Sequence, residues 1–100
     1  VSFFNEIYEF CEKRGADYDV VKFLTVLDDR VGTSHTSVPG PDGKKGFGGT
    51  CFPKDMGSLH YQMHTENDLV APVIGAAIRR NKTHDRPEKD WEEDRGRAVV

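Results

Sequence analysis

The chain has 100 residues, of which 36% are hydrophobic and 31% charged, which fits one small soluble globule with a modest core and excludes a large multi-layer enzyme. Fourteen basic residues against 17 acidic ones leave a net charge of -3, so there is no electrostatic footprint for nucleic acid or for an anionic membrane surface. The longest uncharged, apolar-rich run, Leu69 to Ile78, is too short to span a bilayer, and no signal-peptide pattern is present. Two cysteines, Cys11 and Cys51, make at most one bridge, which points to a reducing, cytoplasmic setting rather than a disulfide-built secreted domain.

Taken in chain order, Phe3, Phe4, Ile7, Phe10 and Cys11 recur at helical spacing and predict a first helix that ends near Gly15. Asp17 is placed to cap a second helix, with Val20, Val21, Phe23, Leu24 and Leu27 along its buried side as far as Asp28 and Asp29. From Arg30 to Phe52 the periodicity stops and Pro39, Gly40, Pro41, Gly43, Gly46, Gly48 and Gly49 predict one long loop, a kind of segment that is usually functional or disordered. Pro53 suits a first helical turn, and Met56, Leu59 and Met63 carry a third helix. A fourth is predicted from about Asp68 to Lys82, with Pro72 in its first turn. Residues 83–100 read as a charged, weakly structured tail carrying the single Trp91. The fold class is therefore all-α, with about four helices and one long Gly/Pro-rich loop, and the domain proper is residues 1–82.

The chemistry concentrates in the string GFGGTCFPKD, residues 46–55. Gly46, Gly48 and Gly49 strip bulk from the backbone just ahead of a thiol, so a ligand can approach closely. Cys51 falls at a predicted helix start, where unpaired N–H groups and the positive dipole end favour an anionic nucleophile. Lys54 adds a cation, and Asp55 adds a carboxylate able to orient or deprotonate a water. A bland alternative exists: a surface turn, an inert cysteine and an ordinary solvated helix start.

This ten-residue string closely resembles the active-site signature of the UDP-glucose and GDP-mannose dehydrogenase family. FFNEIYEFCEKRGAD resembles the family's helix with an Asn-Glu pair, and DDRVGTSHTSVPGPDG the segment leading into the catalytic loop. The likeness runs from about Val1 to Asn81 and is closest to the UDP-glucose dehydrogenase branch. It implies an oxidoreductase that converts the primary alcohol of a nucleotide sugar to a carboxylate by two hydride transfers to NAD. The resemblance makes Cys51 the nucleophile and Asp55 the residue that handles the hydrolytic water. It sets Cys51 and Lys54 beside the cofactor, and Phe47 and Gly48 against the sugar nucleotide. Arg30 would reach a substrate bound in the other subunit of a homodimer. The family's dinucleotide-binding domain is expected ahead of this segment, and an active-site lysine and asparagine about two to three helical turns before Val1. GFGG itself is no dinucleotide fingerprint, because neither a strand nor a βαβ unit surrounds it.

Three other readings of the residues stay open. His60 and His64, four apart on one predicted helix, could begin a metal site completed by Cys51 or His35. Cys51 and His35 could form a thiol hydrolase pair, although no third orienting residue stands at a diagnostic place. The domain could also serve purely as a dimerisation and linker element. The site residues expected from sequence are thus Cys51 and Asp55 for catalysis, Arg30, Phe47 and Gly48 for substrate, Cys51 and Lys54 for cofactor, and no metal.

Overall fold

The computed structural model describes residues 1–94. They form four α-helices and, among the described residues, no strand: α1 Ser2–Arg14, α2 Tyr18–Thr25, α3 Cys51–Tyr61 and α4 Pro72–Arg80. Single π-helical turns extend α3 over Gln62–Glu66 and α4 over Asn81–Asp85, and a 3-10 turn covers Asp90–Asp94. The described residues divide into two compact units, the first ending at Gly46 and the second beginning at Phe47.

In the first unit, Phe4, Ile7, Tyr8 and Cys11 line one side of α1, where the spacing of three and four turns them to a common face. They pack with Tyr18, Val21 and Val38 around the buried Cys11. α1 stops at Gly15, whose φ of 70° is left-handed, while the Ala16 N–H donates back to the Cys11 carbonyl at 2.9 Å. Asp17 then caps α2 as its sequence position suggests, its carboxylate accepting from the Asp19 N–H at 2.9 Å. The long loop is tied to this core by Tyr18, whose buried hydroxyl donates to the Thr36 carbonyl, and by Thr36, whose own hydroxyl donates to the Thr33 carbonyl at 2.6 Å. The edge of the Tyr8 ring meets Tyr18, and Lys45 stands 5.1 Å over the Tyr8 face.

The apolar side expected of α2 is not buried. Val20, Phe23, Leu24 and Leu27 all remain exposed, as do Phe3 and Phe10 of α1, and only Tyr18 of α2 is fully covered. The helix also ends at Thr25 rather than near Asp28, because the Thr25 hydroxyl turns back onto the Val21 carbonyl at 2.8 Å and Val26 leaves helical geometry. Periodicity identified an amphipathic helix correctly but could not say which apolar residues meet a partner within this chain.

In the second unit α3 begins at Cys51, and Pro53 falls within its first turn as expected. α4 begins at Pro72, four residues later than its periodicity suggests. Pro72 disfavours helical geometry for Ala71, which sits at φ -126° and ψ 66°, and Asp68 takes a left-handed φ of 53°. Leu69 and Val70 are consequently exposed outside any helix. Part of the segment that reads as a charged tail is packed: Asp85, Arg86 and Trp91 are buried, and Arg80 pairs with Asp85 at 3.1 Å. Ion pairing lets a charge-rich stretch pack where composition alone suggests solvation. Residues 95–100 of that expected tail lie outside the described residues.

The Tyr18 hydroxyl gives the first prediction. Tyr18→Phe leaves the Thr36 carbonyl without this donor and should cost about 1–3 kcal/mol in urea unfolding. Burial first, then the neighbouring Cys11 and Asp19, push the Tyr18 phenol above its ordinary 10.0. A folded value above the unfolded one means that this contribution is complete below pH 10.0 and is lost as pH climbs through the raised folded value. Unfolding titrations should show that alkaline loss in the parent chain and not in the phenylalanine variant.

Candidate active site

The glycine run that precedes Cys51 needs its glycines where the backbone turns left-handed: Gly46 has φ 69° and Gly49 φ 75°. Gly49 and Thr50 deliver the chain into α3, with Cys51 as its first residue and its side chain exposed. Asp55 follows four positions later and Lys54 three, so both lie on the side of the helix that Cys51 occupies. Lys54 and Asp55 pair at 3.3 Å with both side chains well exposed, an interaction that water and salt reduce to little net energy. The Asp55 carboxylate can therefore exchange Lys54 for another partner at small cost. A nucleophilic sulfur and a carboxylate one helical turn apart, both open to a ligand, can perform addition to a carbonyl followed by water-dependent release.

Phe47 and Gly48 are held from beneath. The Phe47 N–H donates to Asn81 Oδ1 and the Asn81 amide donates to the Phe47 carbonyl, both at 2.9 Å and both buried. The Phe47 ring, itself buried, meets Phe52 edge-on at 5.8 Å between centroids. Gly48 lies against the Arg86 guanidinium so closely that a Cβ at this position would overlap Arg86 Nη1 and lie 3.0 Å from Cζ. Arg86, only 1% exposed, in turn faces Asp90 at 3.5 Å. Sequence reasoning missed Asn81 and Arg86. The signal for the first was an amide three and four residues after Ile78 and Ala77, on the helical face that those apolar positions mark, where a poor helix former needs a polar partner.

The remaining expected residues lie elsewhere. Arg30 belongs to the first unit, where its guanidinium forks onto Asp28 with contacts of 3.0 and 2.6 Å. The Arg30 side chain, followed by its backbone N–H, holds the Asp28 carboxyl below its usual range, and Asp28 pushes Arg30 up. Both groups are solvated, so the pair orients Arg30 without contributing much stability. His35 also lies in the first unit, with a left-handed φ of 62°. His60 and His64 stack with centroids 5.5 Å apart, and among the described residues no group of three or more His, Cys, Asp or Glu could hold a metal. Also among the described residues, no helix is long and apolar enough to cross a membrane.

The described residues are all-α and present a cysteine and a carboxylate on one helical turn behind a glycine loop, and comparison with known proteins identifies the family of this segment. Residues 1–83 match the model for the UDP-glucose/GDP-mannose dehydrogenase family, central domain, and the chain belongs to that family. It is 39% identical over 82 residues to a UDP-glucose 6-dehydrogenase of Rickettsia bellii (strain RML369-C), covering 82% of this chain and 18% of that protein. Over 59 residues it is 41% identical to the UDP-glucose 6-dehydrogenase YwqF of Bacillus subtilis (strain 168), covering 59% of this chain and 12% of the relative. A GDP-mannose 6-dehydrogenase of Azotobacter vinelandii is 34% identical over 82 residues, covering 81% of this chain and 18% of the relative. The chain thus spans less than a fifth of the length of these relatives. No solved structure matches it.

The contrast between the two thiols is directly measurable. Cys51 is exposed at a helix start, whereas Cys11 is 4% exposed in the core and becomes reachable only when α1 opens. In a time course with iodoacetamide, mapped by mass spectrometry, Cys51 should label more than about tenfold faster than Cys11. Equal or reversed labelling would contradict an accessible Cys51.

Proposed function

We propose that this chain is the central segment of an NAD-dependent dehydrogenase that oxidises a nucleotide sugar, UDP-glucose or a close relative, to the corresponding uronate. The observation that carries this reading is the exposed Cys51 at the first residue of α3 with Asp55 one turn on, inside the stretch that matches the family. An aldehyde lacks a hydride that leaves readily until its carbon becomes tetrahedral. Addition of the Cys51 sulfur forms the carbon–sulfur bond of a thiohemiacetal and places a proton on the former carbonyl oxygen. Loss of hydride and of that proton leaves a thioester on Cys51. Water then attacks the thioester carbon, Asp55 accepts its proton, and the carbon–sulfur bond breaks to return the thiol and release the carboxylate.

NAD would supply the hydride acceptor for both oxidations. Cys51 and Lys54, on the open first turn of α3, are the residues of this chain that would border it. Among the described residues there is no strand, hence no strand–turn–helix cradle for its pyrophosphate, and the dinucleotide must be held by a domain outside them. Phe47 and Gly48 would present their loop to the sugar nucleotide, and Arg30 would meet the substrate of a partner subunit. A homodimer is part of this proposal because Phe3 and Phe10 of α1, Val20, Phe23 and Leu24 of α2, and Leu27 just beyond it leave apolar surface that water does not favour. A purely dimerising role uses that same face and differs only in leaving Cys51 idle.

Two measurements test the proposal. Holding nicotinamide and sugar in register is worth roughly 7–11 kcal/mol of barrier, so the 100-residue chain alone should reduce no NAD with UDP-glucose. Activity should appear on addition of an amino-terminal dinucleotide-binding fragment of the family, and Cys51→Ser in that pair should stop carboxylate formation. NADH production by the isolated chain that requires Cys51 would refute the division of labour. Separately, sedimentation equilibrium should show a species twice 11.3 kDa, and Phe23→Asp, which forfeits about 1.5–3 kcal/mol of burial per copy, should return it to monomer. A parent chain that stays at 11.3 kDa at high micromolar concentration would remove the dimer from the proposal.

A further inference from the structure

A glycine-rich run has no side chains with which to hold its own shape, and it loses more backbone entropy on ordering than any other sequence. Something outside the run must fix it if a thiol three residues on is to stand in one place. In the second unit that role falls on two buried side chains. Asn81 offers an amide oxygen and an NH2 group, and it satisfies the N–H and the carbonyl of the one residue Phe47, both at 2.9 Å. An aspartate there could accept but not donate. Arg86 closes on the next residue, Gly48, with its guanidinium where a Cβ would otherwise lie. The two holders are themselves linked, because the Arg86 N–H donates to the Asn81 carbonyl at 2.9 Å, and Asp90 faces Arg86 from the following turn.

We propose that Asn81 and Arg86 are positioning residues that clamp the backbone of Phe47 and Gly48 and thereby set where the Cys51 thiol stands at the start of α3. The proposal rests on the reading of Cys51 as the nucleophile. Arg86 lies beyond residues 1–83, so half of the clamp comes from chain outside the stretch that matches the family. Neither residue needs to touch substrate; each acts through the loop backbone. Gly48 is then required for the seat of a guanidinium rather than for a positive φ.

Hydrogen exchange on the full chain tests the clamp directly. The Phe47 amide should be protected about tenfold or more relative to an unbonded loop amide, and an unprotected Phe47 overturns the proposal without any variant. Asn81→Asp and Gly48→Ala should each speed Phe47 exchange by about tenfold and change the rate of Cys51 alkylation severalfold. The Ala16 amide of the first unit should keep its exchange rate, which separates a loosened clamp from an unfolded chain. Arg86→Lys deletes the Nη1 that a Cβ at position 48 would strike yet keeps a cation for Asp90. Gly48→Ala combined with Arg86→Lys should accordingly recover most of the lost Phe47 protection and Cys51 rate. Unchanged Cys51 alkylation when Phe47 exchange rises, or no recovery in the double variant, would defeat the positioning role. A Cys51 that labels no faster than Cys11 in the parent chain counts instead against the catalytic reading, and Phe47 protection still decides the clamp.

Discussion

The reciprocal pairing between the buried amide of Asn81 and the backbone of Phe47 is the constraint on which the candidate site depends. A loop of glycines can reach many conformations, and both polar groups of Phe47 sit where water cannot satisfy them. One side chain answers both. It also joins the end of α4 to the residue that begins the approach to Cys51. The first unit uses the same device on the preceding residue: Asn5, buried in α1, accepts from the Gly46 N–H at 3.1 Å while its own NH2 donates to the Val1 carbonyl at 3.0 Å. Each unit thus holds its own end of the glycine run with an asparagine set in a helix.

The apolar residues tell a complementary story. The core of the first unit is small, built around Cys11, Tyr18 and Val38, while larger side chains such as Phe3, Phe10 and Phe23 face outward. A helix face of that kind belongs against something, and the relatives are more than five times as long as the segment matched here. Among the described residues the chain presents an exposed thiol and a carboxylate on one turn of α3 and no strand–turn–helix unit.

Much of this was legible from residue spacing. Gly15, Asp17 and the Gly/Pro run marked one helix end, one helix start and the long loop, because caps and turns are decided by a few local atoms. Cys51 stood out for the same local reason, a thiol between glycines and a helix start. What could not be read depended on tertiary partners. Periodicity ranks apolar faces but does not tell whether Phe23 or Leu27 has a neighbour, and composition treats Arg86 and Asp90 as solvated charges although they face one another in the fold. Asn81 was hidden for a related reason: its importance lies in a contact 34 residues away in sequence, with a backbone that any residue type could have supplied.

Each unit buries polar as well as apolar groups, and that mixture has a thermal consequence. The first covers Asn5 and Thr36 alongside Cys11, Tyr18 and Val38, and the second covers Asn81, Asp85 and Arg86 alongside Phe47 and Trp91. Exposing apolar surface raises the heat capacity of the unfolded chain, and exposing polar surface lowers it. In each unit the buried polar groups offset part of the heat-capacity gain that the apolar ones bring on opening, which flattens the dependence of stability on temperature.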